Sequence, residues 1–378
     1  MQNIVVVYGG KSCEKDISTI TGIQTLTHLN KKKYKIFPLF VDGNHFFLPK
    51  KSQDVKTYIK WKKSQLEVFF IGDYICRASN FGVKKLAKID CALLCLHGEN
   101  DEGGGAQGFF DTIGIPYTSA DIGASALAMD KALSKLYFAS KKCKILPYCE
   151  LTKAELNDEN LAKCVKKLKF PIIVKPNRQG SSIGIDVAND MESLAQAVEI
   201  AFSFGNKIVL ERALVDFVEI NCACVLDKEK VVVSSLEQPL RWNEFLAFED
   251  KYLTNGKLSG GGRIFPATLE GNLNQEIQDT AQSLYLGANM RGVVRFDFLV
   301  DKATETAYIN EMNTIPGSLG HYLFADKNLS FGAICDILIE QAQKQFDSDK
   351  HAQFHSQILA NYNKGSANAC KCGAKMVK

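Results

Sequence analysis

Short hydrophobic runs alternate with helix-like segments in the first third of the chain. Residues 4–8, 35–41 and 90–96 are predicted to be buried strands, while residues 17–29 place apolar side chains at helical spacing. Glycines follow the first of these strands directly and the third after one histidine. This alternation predicts an open parallel sheet, whose ligands bind beyond the carboxyl ends of the strands. The lysine-rich stretch 50–85 fits neither period, and we expect it to be a peripheral variation.

The hydrophobic pattern changes after residue 123. Residues 125–140 are predicted to form a helix, and residues 171–176 a buried strand that ends in a proline. A loop rich in glycine and serine follows at 177–184. The polar residues from 346 onwards lack apolar periodicity and are expected to form a loosely held tail. Further strands are predicted at 207–211, 219–226, 230–236, 293–300 and 307–310.

Composition and charge exclude several classes of function. The chain is 46% hydrophobic and 23% charged. Its 46 basic and 42 acidic residues nearly balance, and the net charge of +4 is too small to favour nucleic acid or a membrane as partner. The apolar stretch 4–8 is too short for a signal peptide, and no stretch is long enough to span a membrane. The 12 cysteines are scattered, as is typical of a cytoplasmic protein. Cys370 and Cys372 have no second cysteine pair or histidine cluster beside them, which favours free thiols over a metal site.

Two predicted strands near residue 300 concentrate polar side chains on one face. Residues two apart in a strand share a face, so Arg295 points with Asp297, and Glu311 points with Asn313. If these strands are neighbours, the face suits Mg²⁺ and the transfer of a phosphoryl group. The alternative is a set of solvated charges on an edge strand. Hydrophobic residues alternate with the polar ones, which favours a half-buried face and the Mg²⁺ hypothesis.

Two further segments have side chains suited to a nucleotide. Lys175 ends a buried strand, and backbone N–H groups of the loop around Gly180 can point at phosphate oxygens. The loop is not a Walker A motif, and an ordinary turn is the alternative. The carboxylates of Glu211 and Glu219 could accept hydrogen bonds from an adenine amino group and from ribose hydroxyls. The alternative is that both are ordinary surface charges at strand ends.

Taken together, these segments resemble the ATP-grasp superfamily and, within it, the D-alanine–D-alanine ligase family. The resemblance runs from about residue 3 to about 340. The order of its motifs is more specific than any one of them. They are Gly-Gly-x-Ser-x-Glu at 9–14, His-Gly at 97–98, Met-Asp-Lys at 129–131, Lys-Pro at 175–176, Gly-Ser-Ser-x-Gly at 180–184, Lys-Tyr at 251–252, Arg-x-Asp at 295–297 and Asn-Glu-x-Asn-Thr-x-Pro-Gly at 310–317.

The resemblance implies a fold, a domain order and a reaction. The fold class is α/β (α+β overall), with an N-terminal open parallel sheet domain that binds substrate at 1–123. ATP-grasp domains follow, a small central one at 124–208 and a catalytic one at 209–345, before the tail at 346–378. The implied enzyme is an ATP-dependent ligase that joins two D-alanines through an acyl phosphate for peptidoglycan synthesis. A homodimer in the cytoplasm is expected, with amino acids as its small-molecule substrates.

The resemblance also implies a role for each matched residue. The expected catalytic residues are Glu14, which binds the first ammonium, with Ser181 and Tyr252 in its network, and Arg295 and Gly317 at the oxyanion. His97, Lys251 and Ser318 are expected to bind substrate, and Lys251 and Tyr252 to lie on a closing loop. ATP contacts are expected from Lys131, Lys175, Glu211, Arg212, Leu214 and Glu219. Two Mg²⁺ ions, for which Mn²⁺ is a candidate substitute, are expected on Asp297, Glu311 and Asn313.

One loop departs from the family pattern and leaves an alternative substrate open. The family's His-Gly-x-x-Gly-Glu-Asp-Gly has Asp101 in place of a glycine and Gly103 in place of an aspartate. A ligase for another small pair, such as D-alanine and D-serine, is therefore a second hypothesis. An inactive ATP-binding regulator is a third, although the metal ligands and Arg295 are all present. A nicotinamide-dependent oxidoreductase is disfavoured because the first strand lacks the G-x-G-x-x-G motif.

Overall fold

The computed structural model describes residues 1–61, 65–240 and 262–348. A seven-stranded sheet comes first, in the order β6-β5-β4-β3-β2-β1-β7. Its strands are β1 (Gln2–Gly10), β2 (Tyr34–Asp42), β3 (His45–Leu48), β4 (Leu66–Ile71), β5 (Tyr74–Ser79), β6 (Gly82–Lys88) and β7 (Cys91–Leu94). Four helices accompany it, namely α1 (Lys15–His28), α2 (Lys56–Ile59), α3 (Glu99–Glu102) and α4 (Gly105–Thr112).

The first sheet is mixed rather than wholly parallel. The predicted parallel arrangement is confirmed for β2, β1 and β7. The strands β3 to β6 pair antiparallel in succession, so residues 50–85, which fit neither period in the sequence, contain regular strands. These strands belong to tight hairpins, and they bury little: β6 has no buried residue. Because an exposed hairpin needs no apolar face, its lysines obscured the strand period.

The second part of the chain forms a four-stranded antiparallel sheet in the order β10-β9-β11-β8. The single helix predicted at 125–140 is two helices, because Asp130 adopts an extended backbone and caps the second through the amide of Leu133. The strand β11 crosses the boundary at 208/209 that was predicted between the central and the catalytic domain. The elements are α5 (Ile122–Met129), α6 (Lys131–Ser140), β8 (Tyr148–Thr152), a 3₁₀ turn (Lys153–Glu155), α7 (Asp158–Leu168), β9 (Ile172–Pro176), β10 (Asp186–Ala188), α8 (Met191–Ser203) and β11 (Lys207–Arg212).

The third part forms the third sheet, which is also antiparallel, in the order β13-β12-β16-β17. The strand that carries Arg295 and Asp297 is therefore an interior strand, whereas the strand that carries Glu311 and Asn313 lies at the edge of this sheet. The edge-strand alternative is thus excluded for the first pair only. The predicted tail begins inside the last helix, and residues 349–378 lie outside the described part. The elements are β12 (Phe217–Asp227), β13 (Lys230–Val233), β14 (Gln238–Pro239), β15 (Arg263–Ile264), α9 (Leu273–Gly287), β16 (Val294–Asp301), β17 (Thr306–Asn313), a 3₁₀ segment (Gly317–Lys327) and α10 (Phe331–Ser348).

The end of the described chain packs into the core of the first sheet. Ile315, Leu319, Leu323 and Phe324 are buried in the same hydrophobic cluster as the strands β1 and β7. The helix α10 contributes Phe331 and five further buried side chains to that cluster. This packing holds the segment after β17 against the loops that follow β1 and β7. Among the described helices, none is long and apolar enough to cross a membrane.

The packing of α1 on β1 can be tested at Gly22. A side chain at this buried position would overlap the ring of Tyr8. We expect Gly22→Ala to lower the free energy of unfolding by about 1–3 kcal/mol, because an overfilled core must shift. Gly205→Ala is the matched control, since nothing lies within 4 Å of the added carbon. Equal urea midpoints for both variants would contradict this description of the α1–β1 contact.

Candidate active site

A cavity of about 510 Å³ opens where the three sheets meet. It lies beyond the carboxyl ends of β1 and β7, the place where ligands of parallel strands bind. The loop after β9 and the strands β12, β16 and β17 form its other walls. The predicted site residues that line it are Glu14, His97, Lys131, Ser181, Glu219, Arg295, Asp297, Glu311, Asn313 and Gly317.

Some predicted residues are not brought to this cavity. Among the described residues, its lining does not include Lys175, Glu211, Arg212, Leu214 or Ser318. The exposed Arg212 donates from Nε to the carbonyl of Leu168 at 3.1 Å. Lys251 and Tyr252, predicted to close over the reaction, lie outside the described residues, as does most of the glycine-rich segment that follows them.

A row of polar side chains on neighbouring strands forms the floor of the cavity. The strand register places Asn221 on β12 opposite Asp297 on β16, and Asp297 opposite Glu311 on β17. Arg295 donates two hydrogen bonds to the Asp297 carboxylate, from Nε at 2.6 Å and from Nη2 at 2.7 Å. The side-chain amide of Asn313 donates a third to the same carboxylate at 3.0 Å. The period-two prediction for these strands is confirmed by this register.

The charge balance of this floor favours an added cation. Burial raises the pKa of Asp297 to about 6 although Arg295 opposes the rise, and nearby Glu311 adds to it. Lys131 lies 3.7 Å from Glu311 at the side of the cavity. Removing the Asp297 carboxylate from water, with the half-buried Glu311 beside it, is costly unless cations or donors compensate. The floor is therefore a place where a hard cation and phosphate oxygens would be stabilised.

Two floor residues escaped the sequence analysis. Asn221 and Glu237 are buried cavity residues that join through Nδ2 and Oε2 at 3.2 Å. Oδ1 of Asn221 is buried without a hydrogen-bond partner in the described structure. Arg263 pairs with the other oxygen of Glu237 at 3.2 Å. A sequence signal for Asn221 did exist. It is the one asparagine inside the apolar run of β12, and it lies two residues after Glu219, so both side chains are on the same face of the strand.

Beside the cavity, a buried cluster of charges joins α6 to the second sheet. The Glu211 carboxylate lies 2.6 Å from Lys135 Nζ and 2.9 Å from Lys175 Nζ, and the side chains of Glu211 and Lys135 are only 1% and 2% exposed. Burial alone would raise the pKa of Glu211, but the two lysines outweigh it and hold the pKa at about 2. Lys175 also donates to Asn310 at 3.0 Å, so the cluster connects four elements, α6, β9, β11 and β17.

The wall opposite the floor carries Glu14. It is buried, and it accepts a hydrogen bond from the Ser181 hydroxyl across the cavity. Side chains at Gly98 or Gly180 would overlap its carboxylate, so both glycines leave room for it. His97 lies next to it, and burial lowers its pKa to about 4, which keeps the imidazole neutral near pH 7. Its Nε2 is 2.9 Å from the Thr21 hydroxyl.

Glu102 is a buried carboxylate that also escaped the sequence analysis. One of its oxygens accepts from the Ile315 amide at 2.8 Å and from Thr314, and the other accepts from the Gly98 amide at 3.3 Å. Burial raises its pKa to about 7, and the charge of Glu14 adds to the rise. Glu102 thus links the loop after β7 to the segment that follows β17.

The segment from Gly317 onwards places its side chains differently from the prediction. Ser318 donates to Gln24 at 2.6 Å and so turns away from the cavity, in which it was expected to bind substrate. Three successive residues, Ser318, Leu319 and Gly320, have left-handed backbone angles, which redirect the chain there. Tyr322 lines the cavity instead, with the guanidinium of Arg263 5.0 Å above its ring.

Comparison with known families agrees with this architecture. A model described as the D-alanine–D-alanine ligase N-terminus matches residues 3–120, and one described as the C-terminus matches residues 138–341. The chain belongs to the D-alanine–D-alanine ligase family. It is an enzyme of the ligase class, and the family expectation from the sequence is confirmed.

Individual relatives match nearly the whole ligase. The D-alanine–D-alanine ligase of Thermosipho melanesiensis is 34% identical over 364 residues, covering 95% of this chain and 98% of the relative. That of Thermosipho africanus is 33% identical and covers 94% and 97%. The crystal structure of the Helicobacter pylori enzyme superposes with a TM-score of 0.74 at 26% identity, covering 90% of this chain and 98% of that one.

The buried charge cluster beside the site generates a prediction for the stability of the ligase. We expect Lys135→Met to lower the free energy of unfolding at pH 7 by about 3–5 kcal/mol, because Glu211 loses a buried partner. The folded pKa of Glu211, about 2, lies below its ordinary value of 4.5. Its contribution is therefore complete above about pH 4.5 and disappears as the pH falls towards 2. The difference between variant and wild type should shrink over that range.

The control for this prediction is an exposed ion pair. Lys163 lies 2.7 Å from Glu159 on α7, with both side chains more than half exposed. Lys163→Met should change stability by less than about 1 kcal/mol. Denaturant unfolding followed by circular dichroism at several pH values measures both variants. Similar losses for the two lysines would show that the Glu211 cluster does not stabilise the fold.

Proposed function

We propose that this ligase joins two D-alanine molecules with ATP to form D-alanyl-D-alanine for peptidoglycan synthesis. The observation that carries the proposal is one cavity with Glu14 and Ser181 on one wall and the Arg295–Asp297 pair on the floor. A carboxylate that accepts an ammonium thus faces a polar floor suited to phosphate. The names of the relatives support D-alanine as substrate on both sides.

The first step activates a carboxylate. Glu14 holds the ammonium of the first D-alanine, and its own position depends on Ser181. The carboxylate of that D-alanine attacks the γ-phosphorus of ATP, so an acyl phosphate forms and ADP leaves. Lys131, whose Nζ lies beside Glu311, contacts the phosphates. Lys175, held in place by Glu211, contributes a second positive charge nearby.

The second step forms the peptide bond. The free amine of the second D-alanine attacks the acyl carbon, and the negative charge of the tetrahedral intermediate meets Arg295 and the amide N–H of Gly317. The C–O bond to phosphate then breaks, and the departing phosphate takes up the proton that the nitrogen loses. Asp297 fixes the guanidinium plane of Arg295 before the charge develops. Exclusion of water matters because water would hydrolyse the acyl phosphate.

We infer that the floor would hold two Mg²⁺ ions, with Mn²⁺ as a candidate substitute. No group of three His, Cys, Asp or Glu side chains converges among the described residues. Mg²⁺ needs only one or two carboxylates when waters and phosphate oxygens complete its shell. Asp297 and Glu311, with Asn313 beside them, would hold the ions, and the unpartnered Oδ1 of Asn221 is a further oxygen donor. Bound Mg²⁺ supplies neutralisation of phosphate charge.

Two features of the cellular form complete the proposal. The protein acts in the cytoplasm, where thiols stay reduced, since all ten cysteines in the described part of the chain are free. It acts as a homodimer, as the family resemblance implies. Sedimentation at micromolar concentration distinguishes the dimer from a single 41.8 kDa chain.

The activity test pairs phosphate release with product identification. Purified protein is mixed with ATP, MgCl₂ and single D- or L-amino acids, and dipeptides are identified by mass spectrometry. D-alanine should release phosphate and give D-alanyl-D-alanine. Release only with a D-alanine and D-serine mixture would replace the substrate pair but keep the chemistry. No release with any amino acid, although ATP binds, would refute the ligase proposal in favour of a regulatory role.

The oxyanion role predicts a selective defect in Arg295→Met. We expect the rate of turnover to fall about 100- to 1,000-fold or more, with ATP affinity largely kept, because the contact is made mainly in the transition state. Steady-state rates and calorimetric ATP binding measure the two effects. Arg291→Met is the control, since Arg291 contacts Tyr117 away from the cavity. Normal turnover in Arg295→Met would remove this residue from the mechanism.

A further inference from the structure

The loop after β7 contains a carboxylate that reaches across to the loop after β1. Oδ2 of Asp101 accepts hydrogen bonds from the backbone amides of Lys11 at 2.7 Å and Ser12 at 3.0 Å. One carboxylate oxygen thus holds two successive N–H groups, which are charge-assisted contacts. The family pattern has glycine at this place, so these contacts depend on a side chain that the pattern lacks.

The segment held by Asp101 leads directly to Glu14. The Ser12 hydroxyl donates to the carbonyl of His97 at 2.5 Å and accepts from the amide of Glu14 at 3.2 Å. The two amides, this hydroxyl and Glu14 therefore form one chain of contacts between the loops. Asp101 is its outer end, and the Glu14 carboxylate in the cavity is its inner end.

The backbone at Gly10 is shaped for this contact. Gly10 has a φ of +113°, and a side chain there would overlap the carboxylate of Asp101. The absent side chain leaves the space into which Asp101 reaches. Although Asp101 is only partly buried, burial raises its pKa, and its bonds to the two amides oppose that rise. Lys11 opposes it too, while Glu99 adds to it.

We propose that Asp101 is a positioning residue, which holds residues 10–14 so that Glu14 meets the ammonium of the first substrate. The inference rests on the proposed function, because it assigns Glu14 to the first D-alanine. Asp101 does not line the main cavity, and it acts through the backbone of Lys11 and Ser12. Without it, the loop after β1 keeps the Ser12 contacts but loses its outer attachment.

Kinetics with three variants test this role. Asp101→Ala removes both acceptor contacts, and we expect about a tenfold rise in the KM for the first D-alanine, with the KM for ATP and the melting temperature close to wild type. Asp101→Asn keeps an oxygen that accepts both amides, and it should restore most of the affinity. Asn100→Ala is the matched control, an exposed neighbour on the same short helix. A two-site fit of rate against D-alanine concentration separates the two KM values.

Hydrogen exchange supplies a readout that does not depend on activity. Loss of the carboxylate frees the amides of Lys11 and Ser12, so their exchange should accelerate in Asp101→Ala and stay close to wild type in Asp101→Asn. Exchange in the second sheet, for example in β9 and β11, should not change. A merely structural role would instead accelerate exchange widely and lower the melting temperature.

The outcomes separate this inference from the proposed function. If the wild type makes no D-alanyl-D-alanine, the proposed function fails, and the positioning role for a first D-alanine fails with it. If the wild type is active but Asp101→Ala keeps its first KM, the positioning role alone is overturned. Equal rises in both D-alanine KM values and in the ATP KM, with a fall in stability, would also overturn it. A selective rise in the first KM that Asp101→Asn reverses supports it.

Discussion

The bidentate pair between Arg295 and Asp297 is the interaction on which the rest of the site depends. Asp297 is 3% exposed on an interior strand, where an unpaired carboxylate would be strongly destabilising. The guanidinium and the amide of Asn313 satisfy it, and in return it fixes the plane of Arg295. Since these residues share one face of β16 and β17, their geometry is set by the strand register. A slip of one residue would turn the whole set into the core.

The other walls are fixed to this floor by contacts from distant parts of the chain. Glu102 in the first part accepts a hydrogen bond from the backbone amide of Ile315, just beyond β17. Ser181 in the second part bonds to Glu14 in the first. The apolar side chains from Ile315 to Phe324 then bury themselves against the first sheet. Side-chain hydrogen bonds thus set the width of the cavity, while hydrophobic packing holds the walls in place.

Sequence reasoning predicted the polar face of β16 and β17, but it missed Asn221 on the regular strand β12, where a lone polar side chain gives no period. The two-residue period of β16 and β17 was sufficient to place Arg295 with Asp297 on one face. The same reasoning missed Glu102 and Tyr322, since Glu102 ends a four-residue helix and Tyr322 lies in a 3₁₀ segment with left-handed residues, and no hydrophobic period marks either. It assigned Ser318 to substrate, but the left-handed turn that begins there points its hydroxyl at Gln24. In the fold, it missed the strands β4 to β6, because β4 and β5 together bury only three residues and β6 buries none, so no clear alternation marks them.

Each of the two departures in the loop after β7 has its own physical reason. At position 103, a side chain would meet the carbonyl of Glu99 at 2.5 Å and Met129 at about 3.0 Å, so this backbone accepts only glycine there. An aspartate could not occupy that position without moving α3 or α5. At position 101 the side chain occupies the space above Gly10, and its carboxylate accepts hydrogen bonds from the backbone amides of Lys11 and Ser12. The loop thus places its carboxylate at 101, where it meets the loop after β1.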